Sequence, residues 1–218
     1  MQRERTILFF LVTGLLLALP GLWFVLTTGK LTFHAAINSR HTPELDFFFT
    51  YATHLGDGIL PTALALALLF LKDIRSALMV GLSCGLSAFF VQFLKRQVFS
   101  HMDRPGRFRD GLGDMHWVAD IDLNNHFSFP SGHSTTAFSM CFAVAVILAR
   151  PRWGVTMALA GGVLAFSRVY LSQHFTQDII AGSALGIVTA YLVYRWLYVS
   201  PISQRVWLDR RLGQRPNQ

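Results

Sequence analysis

Apolar positions along this chain gather into long unbroken runs, not into short alternating stretches. Runs near 6–28, 53–71, 76–94, 133–149, 153–171 and 177–198 each approach the ~20 residues a helix needs to cross a bilayer core. The pattern predicts an all-α polytopic membrane protein, six transmembrane helices in a single bundle, with residues 1–218 forming one membrane-embedded domain. The first run follows Arg3 and Arg5 and is too long for the apolar core of a cleaved signal peptide, so it is read as a retained helix. Pro20 within it is tolerable where neighbouring helices satisfy the freed backbone group. The second run is the least regular, with His54, Asp57 and Pro61 near its start. Residues 29–52 form a polar connection with an interfacial helix expected around Thr42–Tyr51, where Phe47, Phe48 and Phe49 cluster. Residues 199–218 read as a polar, basic tail that frays.

Composition agrees with this picture. Hydrophobic residues make up 52% of the 218 and charged residues only 14%, where a soluble domain carries about 25%. The net charge of +7 raises nucleic acid as a partner, but the basic residues fall in short clusters between apolar runs, as topology signals do. No nucleic-acid partner is expected, and nothing marks an obligate protein partner; the partners implied are the bilayer and what it contains. Cys84 and Cys141 both lie inside apolar runs without metal-ligand spacing, so they read as small core residues with no disulfide between them.

The turns orient the chain. The N-terminus, the 72–75 and 150–152 turns and the tail share one side and carry Arg3, Arg5, Lys72, Arg75, Arg150 and Arg152. The positive-inside rule makes that side cytoplasmic. Both termini are then inside, and the 95–132 and 168–176 regions face the periplasm of a bacterial inner membrane.

Candidate chemistry lies on that outer side. His174 and Asp178 are four apart and share a helix face. A carboxylate on one imidazole nitrogen fixes the tautomer and makes the other nitrogen a better nucleophile. Taken alone, the pair is equally a capping aspartate and an interfacial histidine. Arg168, near a helix end, either snorkels to the interface or offers its planar fork to phosphate oxygens. Pro130-Ser131-Gly132-His133 precedes an apolar run. Ser131 suits an N-cap, Gly132 admits close backbone approach, free N–H groups at a helix start bind anions, and His133 sits where it can give a proton to a leaving oxygen. An ordinary helix cap accounts for that string by itself. Arg104-Pro105 follows the third run, with Lys95 and Arg96 at the helix end. Each feature has a plain structural explanation, but independent accidents would scatter over both faces. Together they supply a nucleophile, an orienting acid, a proton donor and a cationic cradle.

These strings resemble the type 2 phosphatidic acid phosphatase superfamily of membrane lipid phosphatases. The family pattern is Lys-x6-Arg-Pro, then Pro-Ser-Gly-His, then Ser-Arg-x5-His-x3-Asp. The second part is complete at 130–133 and the third from Ser167 and Arg168 through His174 to Asp178. The first departs: eight residues separate Lys95 from Arg104 instead of six, and the position that would give x6 is Gln97. The resemblance implies a metal-independent enzyme without cofactor, hydrolysing a lipid mono- or diphosphate such as undecaprenyl diphosphate, phosphatidylglycerol phosphate or a lipid A phosphate. In it His174 attacks phosphorus, Asp178 orients His174, and His133 protonates the leaving oxygen and then activates water. Arg104, Arg168, Lys95, Ser131 and the Gly132 amide hold the phosphoryl oxygens. Two alternatives stay open: a lipid phosphotransferase using the same phosphohistidine, and a non-enzymatic lipid carrier on this scaffold. Loop 106–127, with Phe108, Met115, Trp117 and Phe127, reads as either a lid or a spacer.

Overall fold

The computed structural model describes residues 1–119 and 121–212. All regular structure among them is helical. Helix α1 (Gln2–Thr28) rises about 40 Å at ~1.5 Å per residue and stops at Gly29, whose left-handed φ of 84° breaks the ladder. Two short helices follow, α2 (Lys30–Asn38) and α3 (Pro43–Ala52). The second starts on the Thr42 cap, with Pro43 in its first turn and Leu45 N–H on the Thr42 hydroxyl at 3.3 Å. A helix is therefore present where one was expected, and α2 is an addition that the polar composition of 29–41 concealed.

The second apolar run is broken. A 3-10 turn, Thr53–Gly56, gives way at Asp57 and Gly58 to α4 (Ile59–Leu71). The stretch from Pro43 to Gly56 is bent by 50° against α4. Helix α5 (Ile74–Phe93) begins on Asp73, which accepts from Ser76 N–H at 2.6 Å, and runs on into a π turn, Leu94–Val98. Helices α6 (Gly132–Leu148), α7 (Pro151–Tyr170) and α8 (Thr176–Tyr194) complete the bundle. Six helices, α1 and α4 to α8, thus correspond to the six apolar runs.

Only three of the six are long and apolar enough to cross a membrane by themselves, Gln2–Thr28, Ile74–Val98 and Thr176–Val199, with the bent pair as a fourth. Packing explains the shorter α6. It is the central element, with Ala137, Phe142, Ala143 and Val146 fully buried among α1, α5, α7 and α8. A helix that meets protein on every side has little need of a lipid-compatible surface and tolerates Ser134, Thr135 and Ser139, all buried and hydrogen-bonded. The outer helices expose what lipid must cover: Leu8, Leu16 and Trp23 on α1, Ile59 and Leu71 on α4, and Phe89 on α5.

Close packing of α6 on α8 depends on Gly182 and Gly186. A Cβ at Gly182 would run into the Ser131 carbonyl oxygen, and one at Gly186 into that of Thr135. Cys84 and Cys141 are free and buried.

The tail departs from expectation over its described part. Leu208 is fully buried. Arg75 reaches from α5 to Asp209 at 2.8 Å, to the Ser203 carbonyl at 2.8 Å and to the Leu197 carbonyl. Ile74 N–H bonds Arg210 O at 2.9 Å. Residues 199–212 therefore dock on the start of α5, because a buried guanidinium needs those acceptors. Residues 213–218 of the expected tail, Arg215 among them, lie outside the described residues.

Candidate active site

The site is assembled at one end of the bundle from the junctions between helices. The α7–α8 connection carries its centre. At the end of α7 the Arg168 carbonyl accepts from both Gln173 N–H (2.9 Å) and His174 N–H (3.0 Å), which folds the turn back and aims His174 inward. Ser172 takes a left-handed φ of 52° in this turn. His174 is 1% exposed. Asp178, in the first turn of α8, caps its own helix by accepting from Phe175 N–H at 2.9 Å. The same carboxylate oxygen lies 3.5 Å from His174 Nδ1 and accepts from the Ser128 hydroxyl at 2.5 Å. Ser128 Oγ is also 3.4 Å from His174 Nδ1. The Asp178–Ser128 pair thus lies against Nδ1 of the imidazole.

Burial, followed by the charges of Arg104, Lys95 and Arg168 and then His133, pushes the His174 imidazole well below its ordinary pKa. It is therefore uncharged, with a free lone pair, at neutral pH.

The α6 start forms the second wall. Ser131 caps the helix, accepting from Ser134 N–H (3.4 Å) and the Ser134 hydroxyl (2.9 Å), and its own N–H bonds the Asp178 carbonyl at 2.9 Å. That bond ties the two helix starts together. A Cβ at Gly132 would meet nothing within 4 Å, so there is open space beside this helix start, the positive end of the helix dipole. His133 follows directly, about a third exposed.

The cations come from three different elements. Arg168 is 8% exposed; one guanidinium nitrogen bonds Thr53 Oγ1 at 2.7 Å, and its buried Nε has no partner among the described residues. Arg104 bonds the His126 carbonyl at 2.9 Å and the Gln173 carbonyl and side chain at 3.3 Å each. Lys95 is 6% exposed although it stands at the end of α5. The π turn there, Leu94–Val98, rotates the helix end, and the Lys95 ammonium lies within electrostatic reach of Arg104, Asp178 and Arg168. All eight residues singled out from sequence, Lys95, Arg104, Ser131, Gly132, His133, Arg168, His174 and Asp178, converge on one region, the unusual Lys95 spacing notwithstanding.

Sequence reading missed several residues here. Ser128 holds Asp178. Thr53 holds Arg168. Asp57 Oδ1 lies 2.6 Å from His133 Nε2. His34, in α2, is buried against Ser172 at 3.2 Å and edge-on to Phe175. Asp57 carried a usable signal, since an ionisable residue inside an apolar run marks a functional position. The others are ordinary residue types whose partners are remote in sequence.

The long connection crosses this end of the molecule. His116 bonds Asp46 at 2.7 Å, its backbone is clasped by Asn38 (2.7 and 2.8 Å), and Tyr170 holds the other Asp46 oxygen at 2.6 Å. Gln173 reaches the Asp122 carbonyl at 2.9 Å. The segment is thus pinned at several points. His41, Asp46 and His116 bring their ligand atoms within 4.8 Å of one another. The His41 and His116 rings, however, are stacked 3.7 Å apart and 12° from parallel. A metal must lie in the plane of each ligating imidazole, so this arrangement suits a hydrogen-bonded latch and not a metal centre.

Against known proteins, residues 76–201 match the family described as the PAP2 superfamily. A lipid A 4'-phosphatase of Porphyromonas gingivalis is 26% identical over 167 residues, which cover 74% of this chain and 70% of that protein. A putative undecaprenyl-diphosphatase, YbjG, of Escherichia coli is 34% identical over 100 residues. That match covers 45% of this chain and 46% of the relative, so the aligned stretch is under half of the relative's own length. Among solved structures, Aquifex aeolicus LpxE superposes with a TM-score of 0.67 at 25% identity, over 76% of this chain and 94% of that one.

Proposed function

Because the chain belongs to the PAP2 superfamily, we propose that it is a membrane lipid phosphatase working through a phosphohistidine on His174. The observation that carries the reading is the environment of that imidazole. It is buried, held at Nδ1 by the Asp178–Ser128 pair, and ringed by Arg104, Lys95 and Arg168. Fixed cations placed where the phosphoryl group gathers negative charge are the largest contribution such a site can make. The Arg168 Nε, without a partner among the described residues, and the helix start at Gly132 with open space beside it suit phosphate oxygens.

His174 Nε2 attacks phosphorus as the bond to the leaving oxygen breaks. His133 donates a proton to that oxygen. The neutral His133 next takes a proton from water, the water oxygen bonds phosphorus, and the P–N bond electrons return to His174. Asp178 balances the charge on the imidazole throughout. The cations present suffice for these steps, so turnover is expected without a divalent metal.

The substrate is a lipid mono- or diphosphate of undecaprenyl diphosphate, phosphatidylglycerol phosphate or lipid A type, with undecaprenyl diphosphate favoured. A groove of about 760 Å³ between α1, α7 and α8 is lined by Gly14, Phe33, Phe49, Gly162 and Ile180, and Thr176, two residues after His174, is part of its wall. Its apolar lining suits an acyl or polyprenyl tail. The active end faces the periplasm, with both termini cytoplasmic, in the bacterial inner membrane.

The test is phosphate release by purified protein in detergent over a panel of lipid phosphates with EDTA present. Activity persists in EDTA, vanadate inhibits it, and His174→Ala falls to background. Strict dependence on a divalent ion, or full activity of His174→Ala, rejects the mechanism.

A further inference from the structure

His174 has its orienting acid in Asp178, four residues away. His133 has one too, but from a remote part of the chain. Asp57 Oδ1 lies 2.6 Å from His133 Nε2, while Oδ2 accepts from His54 at 3.2 Å. Gly56 packs beside the same histidine: a Cβ added there would make ordinary van der Waals contact, 3.6 to 3.8 Å from three atoms of His133. Asp57 occupies the break between the 3-10 turn and α4, where the second apolar run bends by 50°. A carboxylate within an apolar stretch is costly unless paired.

The same break serves a second site residue. Thr53, four positions earlier, accepts from Arg168 at 2.7 Å. One interruption therefore delivers a hydroxyl to the phosphate-facing arginine and a carboxylate to the proton-donating histidine.

Resting on the phosphohistidine reading above, we propose that Asp57 is a positioning residue for His133, the counterpart of Asp178 for His174. With Nε2–H held by Asp57, Nδ1 is the nitrogen turned to the leaving oxygen. In the first step Nδ1–H passes its proton to that oxygen as the P–O bond breaks and its electron pair stays on oxygen. Asp57 stabilises the imidazolium beforehand and keeps the ring in place when it is neutral. In the second step Nδ1 recovers a proton from the attacking water.

Leaving-group dependence tests this, because a poor leaving group needs the proton and a good one does not. kcat/KM, which reports on the first transfer, is measured for the full-length protein in detergent with a short-chain phosphatidic acid and with p-nitrophenyl phosphate. Asp57→Asn should lose about 100-fold on the alkyl phosphate, the scale of general-acid catalysis, and under roughly 5-fold on the aryl phosphate. Asp57→Glu should recover part of the alkyl loss. Equal losses on the two substrates, or no loss on the alkyl phosphate, overturn the proposal. If Asp57→Asn does not fold, the alkyl-to-aryl ratio of Asp57→Glu decides: a changed ratio supports the role and an unchanged one rejects it. His174→Ala, assayed beside these variants, separates the two ideas, since activity retained there removes the phosphohistidine reading whatever Asp57 does.

Discussion

A buried imidazole among cations has a predictable titration. Burial and the charges of Arg104, Lys95 and Arg168 disfavour the protonated form of His174, so its pKa falls well below 6.5. Protonation of His174 therefore limits kcat/KM only on the acid side of the ordinary histidine range. Removing a cation reverses part of the effect. Arg104→Gln should move the acid limb of the pH–rate profile to higher pH while lowering the plateau. Comparing both proteins on one substrate cancels the titration of the substrate's own phosphate. An acid limb that stays put, or moves to lower pH, contradicts the electrostatic account. The residues behind this behaviour differ in how visible they were. His174, Asp178 and Arg168 lie within one short string, and local spacing brings them together. Ser128 and Thr53 are everyday residue types, whose roles appear only when distant segments meet.

Helix geometry sets how accurately these groups are held. The Ser131–Asp178 backbone bond and the contact of α6 with α8 both require small residues at 182 and 186. Gly182-x3-Gly186 is a recognisable small-residue spacing for close helix approach, and it went unread beside the louder polar motifs. Gly186→Val should force α8 away from the Thr135 carbonyl and lower stability by about 1–3 kcal/mol, the usual cost of overpacking. Thermal unfolding in detergent measures this. Gly85→Ala in α5, where a Cβ would meet nothing within 4 Å, is the control and should be neutral or slightly stabilising. Equal effects at both positions would mean that helix propensity, not close approach, governs the site. The π turn after α5 is a comparable device. It puts Lys95 inside with Arg104 and Arg168 despite an eight-residue gap, a result that counting residues along an ideal helix would not reach. The docked tail has a similar origin, because Arg75 lies in an apolar helix and finds its acceptors only in the folded chain.

Across the whole molecule, polar chemistry is concentrated at one end. The opposite end collects Arg3, which bonds the Val146 carbonyl at 3.3 Å and stacks on Tyr198, and Arg75 with Asp209. The proposed topology gives this basic end to the cytoplasm. A cysteine at exposed Asp114 should then be labelled by an impermeant thiol reagent in intact cells, and one at exposed Arg152 only after permeabilisation. The reverse pattern inverts the orientation. Long apolar runs were enough to foretell a six-helix membrane bundle, because crossing a bilayer constrains length and composition within each segment. The strings at 130–133 and 167–178 were enough to locate the two histidines, since a helix start and a four-residue spacing are local geometry. Asp57 with His133, Lys95 turned inward and the loop latched by His116 depend instead on contacts between segments far apart in sequence. No local pattern encodes such contacts, so they emerge only when the helices pack and bring the broken second apolar run, the end of α5 and the long α5–α6 connection to the same place.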